Sequence, residues 1–142
     1  SVCQKVAENA CAHSGLLLAM ETLEFMRRGG RIGGAQALLG SVLNIKPILE
    51  IRDGVIEAVD KVRTKPKAIQ RVVEVVAERI KGKEPIRLAV THANAEADAT
   101  SLLELAKAEL NPIETFFCPL SPVIGTHTGP GTVALNYMSG IA

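Results

Sequence analysis

The feature that most constrains the fold is a strand–helix–strand pattern in the second half of the chain. Residues 87–92 and 113–117 are short, largely apolar segments that favour strands, and residues 95–110 between them repeat alanine and leucine at helical spacing. A chain that leaves a strand through a helix and returns to the same sheet makes a parallel pair with a right-handed crossover. The pattern therefore predicts two parallel strands bridged by a helix.

A β-hairpin is predicted upstream of this unit. Asp53-Gly54, a dipeptide typical of tight hairpin turns, lies between the apolar segments 48–51 and 55–59. The other predicted elements are helices over residues 2–12, 22–28, 33–43 and 66–81, and strands over residues 15–20, 123–125 and 132–138. Together they predict an α/β fold of the α+β type in one domain, with a mixed β-sheet and helices mainly on one face.

Composition limits the functions that this fold can serve. Hydrophobic residues make up 47% of the chain and aromatic residues only 3%, so the core is aliphatic and a cavity within it would suit an alkyl chain. We expect the uncharged residues 33–43 and the inward faces of the helices over residues 66–81 and 95–110 to line or support such a cavity. The net charge of +1 argues against a nucleic-acid partner.

The cellular setting is also constrained by the sequence. No apolar run reaches the roughly 20 residues that span a bilayer, and no signal peptide is visible, so we expect at most transient membrane contact. Cys3, Cys11 and Cys118 fit no disulfide or metal-ligand pattern and indicate reduced thiols in a cytoplasmic protein. The chain begins at Ser1 within a predicted helix, which indicates part of a longer protein.

The most informative motif is the glycine-rich stretch of residues 125–131. It combines two threonine hydroxyls, one imidazole and three glycines after an apolar segment, and such a loop offers backbone N–H groups, hydroxyls and a titratable ring to a small anion. We therefore single out Thr126 and His127 as candidate ligand-binding residues. The alternative is a strand-to-strand turn in which glycine and proline set the geometry and His127 is solvated.

Arginines around a glycine pair form the second candidate. Arg27 and Arg28 precede Gly29-Gly30 at a predicted helix end, where basic side chains complement the helix dipole. Arg31 lies beyond the glycines, where the dipole explanation weakens, and a guanidinium fork recognises carboxylate or phosphate. Arg31 is therefore the stronger candidate for a ligand site.

The sequence contains no recognised catalytic motif. Ser-His-Asp, His-Glu-x-x-His and Cys-x-x-Cys spacings do not occur, so binding is favoured over catalysis, with no cofactor or metal predicted. By pattern alone, the isolated cations Lys46 and Arg63 are assigned to solvated strand residues. His92 lies at a strand end with Asn94 nearby, where we expect a cap or a hydrogen-bonded surface histidine.

Three stretches together resemble the C-terminal domain of the DegV family of fatty-acid-binding proteins. They are Arg27-Arg28-Gly29-Gly30-Arg31-Ile32, Leu43-Asn44-Ile45-Lys46-Pro47 and Gly125-Thr126-His127-Thr128-Gly129-Pro130-Gly131. The resemblance implies that residues 1–142 are the C-terminal, ligand-binding half of a two-domain protein whose N-terminal half is absent. It also implies a non-enzymatic carrier that holds a long-chain fatty acid in an apolar tunnel and, in some members, presents the carboxylate to a kinase subunit that forms acyl phosphate.

Carried over residue by residue, the resemblance implies roles for five side chains. Thr126 and His127 would lie beside the fatty-acid carboxylate. Arg31, Lys46 and Arg63 would form the positive surround that meets the fatty-acid head group or a partner's phosphates. We expect Arg31, Lys46, Arg63 and His127 to converge on one face.

The sequence also departs from the family pattern and leaves two other classes open. Met20 and Gly33 replace residues that are frequently Asp and Ser in the family, and the Ser/Thr residues that grip the carboxylate belong to the absent half. One alternative is an enzyme of the dihydroxyacetone-kinase type that uses His127. The other is a regulatory domain whose apolar residues 33–43 and Arg63 dock onto another protein.

Overall fold

The computed structural model describes residues 1–40 and 44–141, and these form one six-stranded sheet with helices packed against it. In chain order the strands are β1 (Ser14–Ala19), β2 (Lys46–Arg52), β3 (Val55–Val62), β4 (Ile86–Ala93), β5 (Glu114–Pro119) and β6 (Thr132–Ser139). The helices are α1 (Val2–Ala12), α2 (Glu24–Arg28), a 3₁₀ helix (Gly33–Leu38), α3 (Lys65–Ile80), α4 (Glu96–Leu110) and α5 (Pro122–Thr128). No helix in the described residues is long and apolar enough to cross a membrane.

The sheet is mixed, as the sequence predicts. Its strand order is β3-β2-β1-β6-β4-β5, so β3 and β5 lie at the two edges. β4 and β5 pair in parallel through the α4 crossover, which confirms the predicted strand–helix–strand unit. The other pairings between described strands are antiparallel.

The predicted hairpin is β2 and β3, and its turn shows why the dipeptide is diagnostic. Asp53 and Gly54 have φ angles of 51° and 78°, so both central residues adopt the left-handed conformation of a type I′ turn. Glycine adopts this conformation without cost, and aspartate tolerates it better than most residues. The turn twist matches the twist of the flanking strands, and the register that it sets runs from Arg52↔Val55 to Leu49↔Ala58, beyond which the pairing shifts.

Neighbouring residues of each strand face opposite sides of the sheet and enter two separate apolar clusters. Leu17 belongs to the larger cluster, which α3 and α4 cover. Leu18 belongs to the smaller one, which α2 and the 3₁₀ helix cover. The two long helices thus lie on one face, as predicted. The expectation that residues 33–43 share a cavity with α3 and α4 is wrong for the described part, because the 3₁₀ helix packs on the other face.

Two local predictions also need correction. Residues 123–125 belong to α5 and not to a strand, because the Ser121 side chain accepts a hydrogen bond from the N–H of Ile124 and Pro122 occupies the first turn, both of which favour a helix start. The helix predicted over residues 33–43 is a 3₁₀ helix that ends at Leu38. Residues 41–43 of that prediction lie outside the described residues.

Candidate functional site

The fold gathers most of the predicted site residues at one end of the sheet, which we call the site end. β1 ends at Ala19, whose partners are Ile48, near the start of β2, and Val133, near the start of β6. Lys46 at the start of β2 pairs with Val62 at the end of β3. Lys46, Arg63 and the glycine-rich stretch before β6 are therefore brought to the same end, although they are far apart in sequence.

At the site end, residues 21–29 and residues 127–131 run side by side, and we call them the paired segments. Each contact joins a glycine to a side chain: Gly29 meets His127, Gly129 meets Phe25, and Gly131 meets Glu21. A Cβ atom on any of these glycines would come under 3.0 Å from the facing side chain, closer than real Cβ atoms approach. Glycine is thus required at all three contacts for the segments to pack this closely.

His127 lies in the last turn of α5, half-buried against Gly29. Its Nδ1 atom is buried and has no hydrogen-bond partner, whereas buried polar atoms in proteins are nearly always paired. Leaving such an atom unpaired costs about 1–3 kcal/mol. The solvated turn considered as the alternative for His127 does not match this burial.

Arg31 is brought next to the same glycine. Its guanidinium donates a hydrogen bond of 2.9 Å to the Gly29 carbonyl, and its backbone N–H donates to the carbonyl of Met26 in α2. Arg31 and His127 thus both contact Gly29. Thr126, by contrast, is exposed on α5, and its hydroxyl donates to the Pro122 carbonyl one turn earlier, so it does not join them.

Lys46 belongs to a charged cluster that the sequence analysis did not identify. The Glu21 carboxylate lies 2.5 Å from Lys46 Nζ and 2.9 Å from Lys65 Nζ, and Lys65 also donates to the Gly131 carbonyl. Burial opposes ionisation of Glu21, but the hydrogen bonds and charges of the two lysines outweigh it and hold the pKa of Glu21 below its ordinary value. Lys46 therefore already has an internal counter-ion.

Arg63 and His92 complete the predicted set. Arg63 directly follows β3 and is exposed at the site end. His92 Nδ1 accepts a hydrogen bond of 3.2 Å from the N–H of Ala95 at the start of α4, which confirms its capping role. Within residues 1–40 and 44–141, no group of three His, Cys, Asp or Glu side chains is placed to hold a metal ion.

Away from the site end, the sheet face opposite α3 and α4 is only partly covered. An open groove of about 530 Å³ lies there, across β1, β6, β4 and β5. Its lining includes the side chains of Leu16, Ala89, Phe116, Asn136 and Met138. A smaller cavity of about 300 Å³ lies beside Glu21 and Lys46, between α2 and the residues after the 3₁₀ helix.

The described residues thus form a ligand-binding type of α/β protein, with a mixed sheet, a positively charged, glycine-rich end and an open apolar face. The chain matches the family described as "uncharacterised protein, DegV family" over residues 2–140. It is 40% identical over 133 residues to a DegV domain-containing protein of Clostridium perfringens, covering 94% of this chain and 47% of that protein. The chain belongs to the DegV family.

Solved structures of DegV family proteins have the same fold. A DegV family protein from Thermus thermophilus, described as showing fatty acid binding, superposes with a TM-score of 0.89 and 34% identity over 98% of this chain and 51% of its own. DegV from Bacillus subtilis, described as a fatty acid binding protein, gives a TM-score of 0.78 and 35% identity, covering 95% of this chain and 48% of its own. The chain spans about half the length of the relatives it matches.

Proposed function

We propose that this chain is the ligand-binding half of a fatty-acid carrier, and that the acyl tail lies on the open apolar face of the sheet. The observation that carries the proposal is the groove of about 530 Å³ on that face, a volume within the range of small-molecule sites. Leu16 and Met138 supply apolar surface, and the small side chain of Ala89 on the neighbouring strand β4 leaves space. The fatty acid binding described for the proteins of T. thermophilus and B. subtilis supports this assignment.

Burial of the tail supplies most of the affinity in this proposal. Each methylene removed from water contributes about 0.8 kcal/mol, so ten of them contribute roughly 8 kcal/mol before the entropy cost of binding. A single hydrogen bond to the head group adds only about 0.5–1.5 kcal/mol. The affinity of such a carrier rises with the number of methylenes that it buries, and the head-group residues mainly orient the fatty acid.

The head group is assigned to the site end, beside His127 and Arg31. His127 is only half-buried, so a carboxylate can accept a hydrogen bond from the exposed side of its imidazole while the Arg31 guanidinium compensates the charge. Arg63 and Lys46 extend the positive surround. In the longer protein, the half that this chain does not span would complete the carboxylate site.

The finer proposal is that the carrier presents the carboxylate to a separate kinase subunit in the cytoplasm. Arg31 and Arg63 are both exposed at the site end and suit the phosphates of a bound nucleotide or an acidic partner. In this arrangement phosphoryl transfer is done by the partner, and the carrier contributes positioning and charge. The chain itself is then not an enzyme.

The half-buried imidazole of His127 also supports a second candidate, an enzyme that uses the exposed side of this ring on a small phosphorylated or carbonyl substrate. Native mass spectrometry of the purified chain separates the two. A co-purified fatty acid of 14–18 carbons supports the carrier, whose long apolar tail suits a groove in the usual size range of ligand sites. A polar metabolite in its place supports the enzyme and refutes the carrier.

A matched pair of variants tests where the tail lies. Phe116 lines the groove and is 57% exposed, whereas Ile113 lies just before β5, is 63% exposed and does not line it. Phe116→Glu places a charge in the groove and should abolish fatty-acid retention. Ile113→Glu adds the same charge at similar exposure and should leave it unchanged. Equal retention in both variants would place the tail elsewhere.

A further inference from the structure

The lysines that hold Glu21 carry more positive charge than one carboxylate compensates. Lys46 and Lys65 contribute two positive charges and Glu21 a single negative one. The Lys65 side chain is only 11% exposed, and a buried ammonium group is costly unless an anion compensates it. The Gly131 carbonyl, which also accepts from Lys65, carries only a partial charge. The two lysines thus form a site that favours an anion of higher charge.

Of the three side chains, Glu21 is the one best placed to leave. Lys46 belongs to β2 and Lys65 to α3, whereas Glu21 lies between β1 and α2, outside regular structure. Its side chain is 36% exposed, more than either lysine. The cavity of about 300 Å³ beside it has Glu21 and Lys46 in its wall. Rotation of the Glu21 side chain would therefore let a ligand in that cavity take the place of the carboxylate that contacts both lysines.

We propose that Lys46 and Lys65 form a subsite for a phosphate group, and that Glu21 occupies this subsite in the unliganded chain as an internal substitute. An external carboxylate has the same charge as Glu21 and would have to displace a carboxylate that is tethered beside the lysines. Replacing Glu21 with such a ligand therefore yields no additional electrostatic stabilisation. A phosphate carries about −1.5 to −2 at neutral pH and matches both lysines. The subsite therefore selects phosphate over carboxylate.

This inference deepens the proposed function, because the subsite lies at the same end of the sheet as the proposed head-group position. Gly131, which contacts Glu21, is four residues after His127 on one of the paired segments. The phosphate group has two conceivable sources: free inorganic phosphate, or a phosphate carried on the end of an acyl chain. Both present the same dianionic oxygens to the lysines.

The decisive variant is Glu21→Gln, which keeps the shape of the side chain and removes its charge. Inorganic phosphate is titrated by calorimetry into the lipid-free chain at constant ionic strength, and the affinity should rise about tenfold or more over the parent chain. Adding Lys65→Met to the same variant should return the affinity to the parent value. Unchanged affinity in Glu21→Gln would overturn the subsite.

Glu104→Gln is the matched control. Glu104 also pairs with a lysine, Lys107, at 3.0 Å, but it lies on the surface of α4 and does not line the cavity beside Glu21. Removing the Glu104 charge changes the net charge of the chain by the same amount as Glu21→Gln, yet it should leave phosphate affinity unchanged. An equal gain in both variants would mean that phosphate responds to net charge alone, which also overturns the proposal.

A second measurement does not depend on Glu21→Gln being folded. In the parent chain, saturating phosphate should displace the Glu21 carboxylate and change its ¹³C chemical shift, and Lys65→Met should suppress the change. If phosphate leaves the Glu21 resonance unaltered in the parent chain, the displacement does not occur and the proposal fails. Neither measurement involves lipid, so its outcome is independent of whether the chain binds fatty acid.

Comparison of dodecyl phosphate with dodecanoate separates the two phosphate sources. If Glu21→Gln tightens both dodecyl phosphate and inorganic phosphate, a phosphate on an acyl chain reaches the subsite. If only inorganic phosphate gains, the subsite serves free phosphate. Tightening of dodecanoate by the same factor would remove the selectivity for phosphate and overturn the proposal. Loss of both lipids with phosphate binding retained would refute the carrier function alone.

Discussion

A methyl group on Gly29 tests whether the paired segments set the position of His127. The added Cβ atom would lie 2.8 Å from His127 Cε1, still closer to Nδ1, and 3.2 Å from the Phe25 carbonyl oxygen. Gly29 has a φ of −79°, so alanine introduces no backbone strain and the cost is steric. Overpacking of this kind costs about 1–3 kcal/mol, and the lower entropy of the unfolded alanine chain offsets roughly 0.4–1 kcal/mol. We expect a net loss of about 1–2 kcal/mol, relieved by rotation of the imidazole.

Gly30→Ala is the control for this variant. Gly30 has a φ of +67° and open space around it, so alanine there costs about 1–2 kcal/mol through backbone strain and touches nothing. Urea unfolding should therefore report similar losses for both variants. Only Gly29→Ala should shift the ¹⁵N and ¹H resonances of the His127 ring. An unshifted ring in Gly29→Ala, or an equal shift in both variants, would refute the argument that Gly29 positions His127.

Three further predictions follow from other contacts. His127→Ala in the full-length protein should abolish acyl-phosphate formation with a partner kinase, because the imidazole stabilises charge in the transition state. Bound lipid, measured by mass spectrometry, should be largely retained, because burial of the tail supplies most of the affinity. Unchanged kinase turnover would refute a role of His127 in phosphoryl transfer. Arg79→Met should lower the free energy of unfolding by about 3 kcal/mol, because it removes a partner of Glu50, whose side chain is only 8% exposed. Arg52 is the more exposed partner of Glu50, so Arg52→Met should cost much less. Equal losses in thermal unfolding would contradict this. A hydrogen bond from Arg71 on α3 holds the pKa of Asp60 below its ordinary value of 3.8, so Asp60→Asn should reduce stability at neutral pH. The difference in stability between the parent and the variant should disappear as the pH falls through the lowered pKa. A difference that does not depend on pH would exclude the ion pair as its cause.

Most of the fold could be predicted from local patterns. The type I′ turn at Asp53-Gly54 specifies a hairpin from two residues, and helical spacing of apolar residues marks α3 and α4. These signals succeed because each depends on the period or backbone conformation of a single segment. The parallel pair of β4 and β5 follows from them, because chain connectivity leaves few other topologies.

The missed features depend on contacts between distant segments. Val123 and Ile124 favour a strand by residue type, but both are exposed on α5, where the Ser121 cap decides the structure. The Glu21–Lys65 ion pair joins the end of β1 to the start of α3, and no sequence spacing predicts it. The one available signal was position, because both residues lie at the end of a regular element, where polar side chains of different segments meet.

The position of β5 at the edge of the sheet has a consequence for the protein in solution. An edge strand presents unpaired N–H and C=O groups that can pair with another chain, and β5 exposes Phe116 and Phe117 on opposite faces of this edge. Phe116 also lines the groove, so a ligand there would cover part of the exposed apolar surface of this edge strand. If the chain is the proposed carrier, its empty form is the one most prone to self-association, and we expect removal of lipid to lower the concentration at which it aggregates.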